Sequence, residues 1–199
     1  MSTFHCIDER KVGVFSAWQI WLACLALLLV CAPVYGQLSV GSKAPAFSAP
    51  AAKNGQAFEF DLSQALSAGP VVVYFYPRAF TSGCTIEAQL FAQAMDDFEA
   101  AGATVVGVSR DDIDTLKRFS EGPCAGRFAV AGDADGSIVR AYEAGFAMMP
   151  SVANRISYAL APDGTVLKAY KSMSPDQHVD RTLSAVQAWR AQNPAASRP

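Results

Sequence analysis

Histidine and charge are both scarce here. Two histidines occur in 199 residues, and charged residues make up 17% of the chain against 51% hydrophobic. Only His178 lies beyond the N-terminal region, too few for a histidine-built metal centre. No basic cluster exists and the net charge is −2, which argues against nucleic-acid binding. There is no glycine-rich phosphate loop, no nucleophile elbow and no internal repeat, so nucleotide chemistry and serine hydrolysis lack their usual signatures. Met148 and Met149, before Pro150, read as loop packing rather than soft-metal ligands. His178, opening the last helix, reads as a solvated surface residue.

The missing charge is concentrated in one place. No charged residue occurs from Val12 to Ser42, and "WQIWLACLALLLVCAPVYG" (Trp18–Gly36) is the apolar heart of that run. Glu9, Arg10 and Lys11 precede it and a small-residue pattern closes it at Gly36. Residues 1–36 therefore read as an export signal, with a retained membrane anchor through residues 12–36 as the alternative. Either places the remaining chain across a membrane, with the cell envelope, and within it the periplasm, as the expected location. Cys6, Cys24 and Cys31 lie in this leader, which leaves Cys84 and Cys124 in the exported part. Two cysteines are one bridge or two working thiols, not a disulfide framework.

The organisation of the rest is βα. Gln37–Phe58 is a Gly-, Pro- and Ala-rich lead-in with at most short strands. "VVVYFY" (Val71–Tyr76) suits a strand buried on both faces, stopped by Pro77. Cys84 to Ala101 carries apolar residues at helical spacing and ends at Gly102. Ala103–Ser109 is a second buried strand and Asp111–Glu121 a helix with acids in its first turn. A short strand at Phe128–Ala131 and a short helix at Ser137–Glu143 follow. Ile156–Ala161 and Thr165–Lys171 flank Pro162-Asp163-Gly164, a hairpin signal. Ser174-Pro175-Asp176-Gln177 reads as a capping box opening a helix to about Arg190. The order implies one α/β domain over residues 37–190, a mixed central sheet with helices on both faces, and a loose tail at 191–199.

Cys84 is the residue whose placement asks for an explanation. It follows a Thr-Ser-Gly turn and opens a helix, where unpaired N–H groups and the positive end of the helix dipole favour thiolate over thiol. The competing reading is a small buried hydrophobe. Around it stands Pro77-Arg78-Ala79-Phe80-Thr81-Ser82-Gly83-Cys84, which resembles the P-x-x-x-T-x-x-C signature of the peroxiredoxins. Thr85–Ala88 ("TIEA") and Ala153–Gly164 ("ANRISYALAPDG") are similar to the branch called peroxiredoxin Q or bacterioferritin comigratory protein. The resemblance implies a thioredoxin-like fold and a thiol-dependent peroxidase with Cys84 as peroxidatic cysteine.

It further implies that Thr81, Pro77 and Arg155 complete the site. Thr81 would orient the peroxide, Arg155 would stabilise thiolate and departing oxygen, and Pro77 would limit water. Each also has a plainer reading: Thr81 as a helix cap, Pro77 as a strand stop, Arg155 as a solvated residue. Glu87, an acid in the first helical turn, is left outside the site.

Two positions depart from the family pattern. Ser82 stands where the family commonly has proline, and Gln89 where the branch often carries its resolving cysteine. Cys124, in the loop "SEGPCAGRF", is then the candidate resolving residue. The alternative is a one-cysteine enzyme recycled by an external thiol. No metal, flavin or haem cofactor is expected. The expected partners are a hydroperoxide, hydrogen peroxide or organic, and a thioredoxin-like or small-thiol reductant, acting on a monomer or dimer. A disulfide oxidoreductase would need C-x-x-C, but Thr81 and Glu87 stand three residues either side of Cys84. A non-catalytic redox-sensing or binding module is the other alternative.

Overall fold

The structure, a computed structural model, describes residues 36–194. Residues 1–35 and 195–199 lie outside the described residues, and with them the expected signal or anchor except Gly36 and most of the expected tail at 191–199. Among those described, no helix is long and apolar enough to cross a membrane.

The strands are β1 (Ser48–Lys53), β2 (Gln56–Asp61), β3 (Val71–Phe75), β4 (Thr104–Ser109), β5 (Ala129–Gly132), β6 (Gly145–Phe146), β7 (Met149–Ala153), β8 (Ile156–Leu160) and β9 (Val166–Lys171). The helices are α1 (Leu62–Ala68), α2 (Ser82–Gln93), α3 (Met95–Ala100), α4 (Ile113–Glu121), α5 (Ser137–Ala141) and α6 (His178–Gln192). Seven strands form one sheet in the order β2-β1-β5-β4-β3-β8-β9. β3, β4 and β5 run parallel, whereas β1, β2, β8 and β9 join by antiparallel pairing. This is the mixed α/β sheet the sequence implies. β6 and β7 form a separate two-stranded ribbon.

The continuous apolar run of β3 explains its central place. Its side chains alternate, so Val71, Val73 and Phe75 enter one core while Val72, Tyr74 and Tyr76 enter the other. The first core takes residues from α1 and α5. The second takes residues from α2, α3, α4 and α6, and both Cys84 and Cys124 belong to it. Helices thus cover both faces.

Several segments differ from the sequence reading, which did not anticipate α1 or the β6–β7 ribbon. The lead-in is a full hairpin: β1 pairs with β2 across Asn54-Gly55, both at positive φ, 48° and 72°. Asn-Gly is a strong hairpin signal, but Pro50 and the surrounding alanines obscured the strand. The long helix from Cys84 is two helices meeting at Ala94, and it begins earlier, at Ser82. The capping box at Ser174 does not form. Ser174 Oγ bonds Asp176 instead, and α6 starts at His178 with Gln177 as its cap residue. The reason lies in the preceding turn, whose Ser172 and Met173 carbonyls point inward to accept from His178 and Arg155. α6 also runs two residues past the expected end at Arg190, to Gln192.

Candidate active site

The loop that leaves β3 carries two of the expected residues, Pro77 and Thr81, and the helix it opens carries Cys84. Pro77 follows Tyr76 directly, and a carboxylate fixes the next turn: Ala79 N–H donates to Asp111 Oδ2 at 2.7 Å, and so does Ser109 Oγ at 2.8 Å. Phe80 then takes a positive φ of 62°, a strained conformation for a bulky residue. Its ring, half in solvent, packs edge-on against Phe119 of α4 at 5.2 Å. The strain is tolerated because both sides of the turn are anchored.

Thr81 is the cap residue of α2, but its hydroxyl does not cap the helix. Oγ1 donates back to Arg78 O at 3.0 Å, and the residue is exposed. The first intrahelical bond runs from Thr85 N to Thr81 O at 2.8 Å, so the N–H groups of Ser82, Gly83 and Cys84 have no acceptor within the helix. Cys84, third in the helix, is 1% exposed and has a free thiol.

Arg155 comes from the far side of the sheet centre, one residue before β8. Antiparallel pairing of β8 with β3 puts Ile156 opposite Phe75, which delivers the arginine to the same end of the sheet as the Cys84 loop. The solvated reading of Arg155 is excluded, since it is 3% exposed. Its Nη2 donates to Cys84 Sγ at 3.4 Å, its Nε to Met173 O at 3.1 Å and its Nη1 to Glu87 Oε2. Arg155 thus sets a permanent positive charge against the sulfur.

Two residues set aside in the sequence belong to this cluster. Glu87 is fully buried, and it pairs with Arg155 and faces His178 Nδ1 at 3.5 Å. His178 is not a surface residue: it too is fully buried, with Nδ1 2.8 Å from Ser157 Oγ and Nε2 3.0 Å from Ser172 O. Burial pushes Glu87 up to about 8 although Arg155 pulls the other way. Burial, helped by the Arg155 charge, takes His178 down to about 4 against the Ser172 hydrogen bond. Spacing carried both signals. Glu87 lies one helical turn from buried Cys84, and His178 shares a helix face with Thr182 and Val186, both buried.

Cys124 also sits in the core rather than in an open loop, in the turn after α4. Its thiol is free, and burial pushes its ionisation well up. The structure thus joins Cys84 directly to Arg155, holds Pro77 and Thr81 in the loop before it, and keeps Cys124 within the same hydrophobic layer.

Residues 40–179 match the AhpC/TSA family. The chain belongs to that family. The chloroplastic peroxiredoxin Q of Gentiana triflora is 32% identical over 156 residues, which cover 78% of this chain and 70% of that protein. The crystal structure of peroxidoxin BcpB from Mycobacterium tuberculosis has a TM-score of 0.69 and 29% identity, covering 76% of this chain and 97% of that one. A structure of the Xanthomonas campestris bacterioferritin comigratory protein, titled for its alkyl peroxide reduction activity, has a TM-score of 0.62 and 29% identity, covering 70% of this chain and 90% of that one. As an AhpC/TSA member of the peroxiredoxin Q and Bcp kind, the chain is at family level a thiol-dependent peroxidase.

Proposed function

We propose that this peroxiredoxin reduces hydrogen peroxide and organic hydroperoxides with Cys84 as the attacking thiol, and that Cys124 then resolves the oxidised form. The observation that carries the reading is the Arg155 Nη2 contact to Cys84 Sγ at 3.4 Å, in the unpaired first turn of α2. The thiolate attacks one peroxide oxygen. An S–O bond forms, the O–O bond breaks, and the departing oxygen takes a proton and leaves as water or an alcohol. Arg155 supplies a fixed positive charge to both the sulfur and the departing oxygen, and Thr81 at the mouth holds the peroxide in line.

Cys84 is then a sulfenic acid. Cys124 attacks it, an S–S bond forms and water leaves, and a thioredoxin-like protein or a small thiol returns the disulfide to two thiols. The alkyl peroxide activity named for the Xanthomonas campestris relative supports organic substrates. So does the half-exposed Phe80 ring beside Thr81. The apolar run before residue 37 supports a site of action in the cell envelope. The enzyme works as a monomer or a dimer.

Peptide mapping after one equivalent of hydrogen peroxide tests the cycle. The expected product is a Cys84–Cys124 disulfide, absent in Cys84→Ser and replaced by Cys84 sulfenic acid in Cys124→Ser. Sulfenic acid on Cys84 with Cys124 untouched in the unsubstituted protein would overturn the resolving role. A Cys84 that stays reduced would overturn the whole reading.

A further inference from the structure

Behind Cys84, one guanidinium serves two groups that can each be anionic. Arg155 reaches Cys84 Sγ with Nη2 and Glu87 Oε2 with Nη1. Glu87 Oε1, the other carboxyl oxygen, is buried without a hydrogen-bond partner and faces His178 Nδ1 at 3.5 Å. The tautomer of His178 follows from its neighbours. Nε2 lies against the Ser172 carbonyl, which can only accept, so Nε2 carries the ring proton. Nδ1 of the neutral ring is then an acceptor and takes the Ser157 hydroxyl. A carboxylate oxygen facing that nitrogen would set lone pair against lone pair, whereas a protonated Oε1 would not.

Charge counting gives the same answer. With Cys84 and Glu87 both ionised, two buried anions share one cation; with neither ionised, Arg155 is a buried unpaired charge. The site is neutral only when one proton is shared between Cys84 and Glu87. The groups facing Glu87 are Cys84 on its own helix, Arg155 before β8, His178 on α6 and the Tyr74 phenol from β3. None is a second cation at neutral pH, since burial keeps His178 uncharged down to about 4.

We propose that Glu87 is the proton store of the Cys84 site, protonated on Oε1 towards His178 while Cys84 is a thiolate and ionised once Cys84 is oxidised. This rests on the reading of Cys84 as the attacking thiol. When the thiolate attacks, sulfur loses two electrons to the peroxide, the S–O bond forms and the O–O bond breaks. The alkoxide or hydroxide takes up one proton. Cys84 is now neutral, and Arg155 is left to pair with Glu87, which releases one proton. Uptake and release balance, and the buried cluster stays uncharged through the step. Glu87 is a positioning residue: it acts through Arg155 and does not touch the peroxide.

Difference infrared spectroscopy on the full-chain protein near neutral pH, reduced minus peroxide-treated, tests this. Mass mapping of the same samples reports the state of Cys84. The expected result is the loss of one protonated-carboxyl band per chain when Cys84 is oxidised, with a shift in D2O and no such band change in Glu87→Gln. His178→Phe should move the band by removing the ring nitrogen that faces Oε1, and the unsubstituted protein alone suffices if Glu87→Gln does not fold. Oxidised Cys84 without any carboxyl change overturns the proton store and leaves the peroxidase reading standing. Unoxidised Cys84 overturns both.

Discussion

Gly83 is what lets Arg155 reach Cys84. A Cβ at this position would lie 2.9 Å from Arg155 Nη2, closer than real Cβ atoms come. Gly83→Ala should therefore displace the guanidinium while leaving the helix intact, because alanine is the better helix former. The expected outcome is a loss of on the order of tenfold or more in the rate of Cys84 oxidation, with little change in unfolding free energy. Stopped-flow kinetics beside urea unfolding check it. Arg155→Ala is a less clean substitution, since leaving a buried partner uncompensated costs roughly 3–5 kcal/mol.

The buried acid and base nearby have opposite effects on stability. Folded Glu87 keeps its proton up to about pH 8, whereas an unfolded glutamate releases it near 4.5, so stability falls as pH rises through that window. Folded His178 stays neutral down to about 4, whereas an unfolded histidine takes up a proton below 6.5, so stability falls as pH drops from 6.5 towards 4. Glu87→Gln should remove the first slope and His178→Asn the second, in urea midpoints followed across pH. Unchanged slopes would contradict both assignments. At this scale the family resemblance pointed to Cys84 and Arg155, and the structure brings the two side chains into contact. It hid Glu87, because an acid in a first helical turn has a sufficient explanation on the surface.

At the scale of elements, the proposed Cys84–Cys124 cycle would act through the first turn of α2 and the turn after α4. Cys84 and Cys124 are both buried, and bridging them brings their Cα atoms within about 7 Å. We expect disulfide formation to unwind the start of α2 and to open the turn around Cys124. Amide exchange should then quicken over residues 82–87 and 122–127 in the disulfide form, and stay slow in Cys124→Ser treated with the same peroxide. Equal protection in both would argue against the rearrangement. Phe119 of α4 packs against the segment that leads into α2, stacked on Tyr76 at 5.5 Å and edge-on to Phe80 at 5.2 Å. Phe119→Ala should cost about 3–5 kcal/mol as a core cavity, seen in denaturant unfolding. The inward-facing turn at Ser172–Gln177 was not legible, because Ser-Pro-Asp-Gln matches a capping box locally. Only the tertiary demand for acceptors at Arg155 and His178 bends it the other way.

At the scale of the molecule, the sheet puts the site where its two halves meet. Parallel β3 and β4 bring the Cys84 loop and Asp111 to one end, and antiparallel β8 brings Arg155 to that same end. The central strands were readable because burial on both faces writes an uninterrupted β-branched and aromatic run, as in Val71–Tyr76. The edge hairpin was not, because β2 exposes most of its residues and carries little apolar pattern. Helices on both faces followed from the alternation of strand and helix alone. The placement of Cys124 in the core did not, since "SEGPCAGRF" reads as an open turn and only packing against α4 and the sheet buries it.

The most direct measurement is the second-order rate constant for oxidation of Cys84 by hydrogen peroxide, in the folded protein and in the same chain unfolded in urea. If the α2 turn and Arg155 make this sulfur a peroxidatic thiolate, the folded value should be larger by on the order of a hundredfold or more. A Cys84 that reacts no faster folded than unfolded would contradict the assignment of this site.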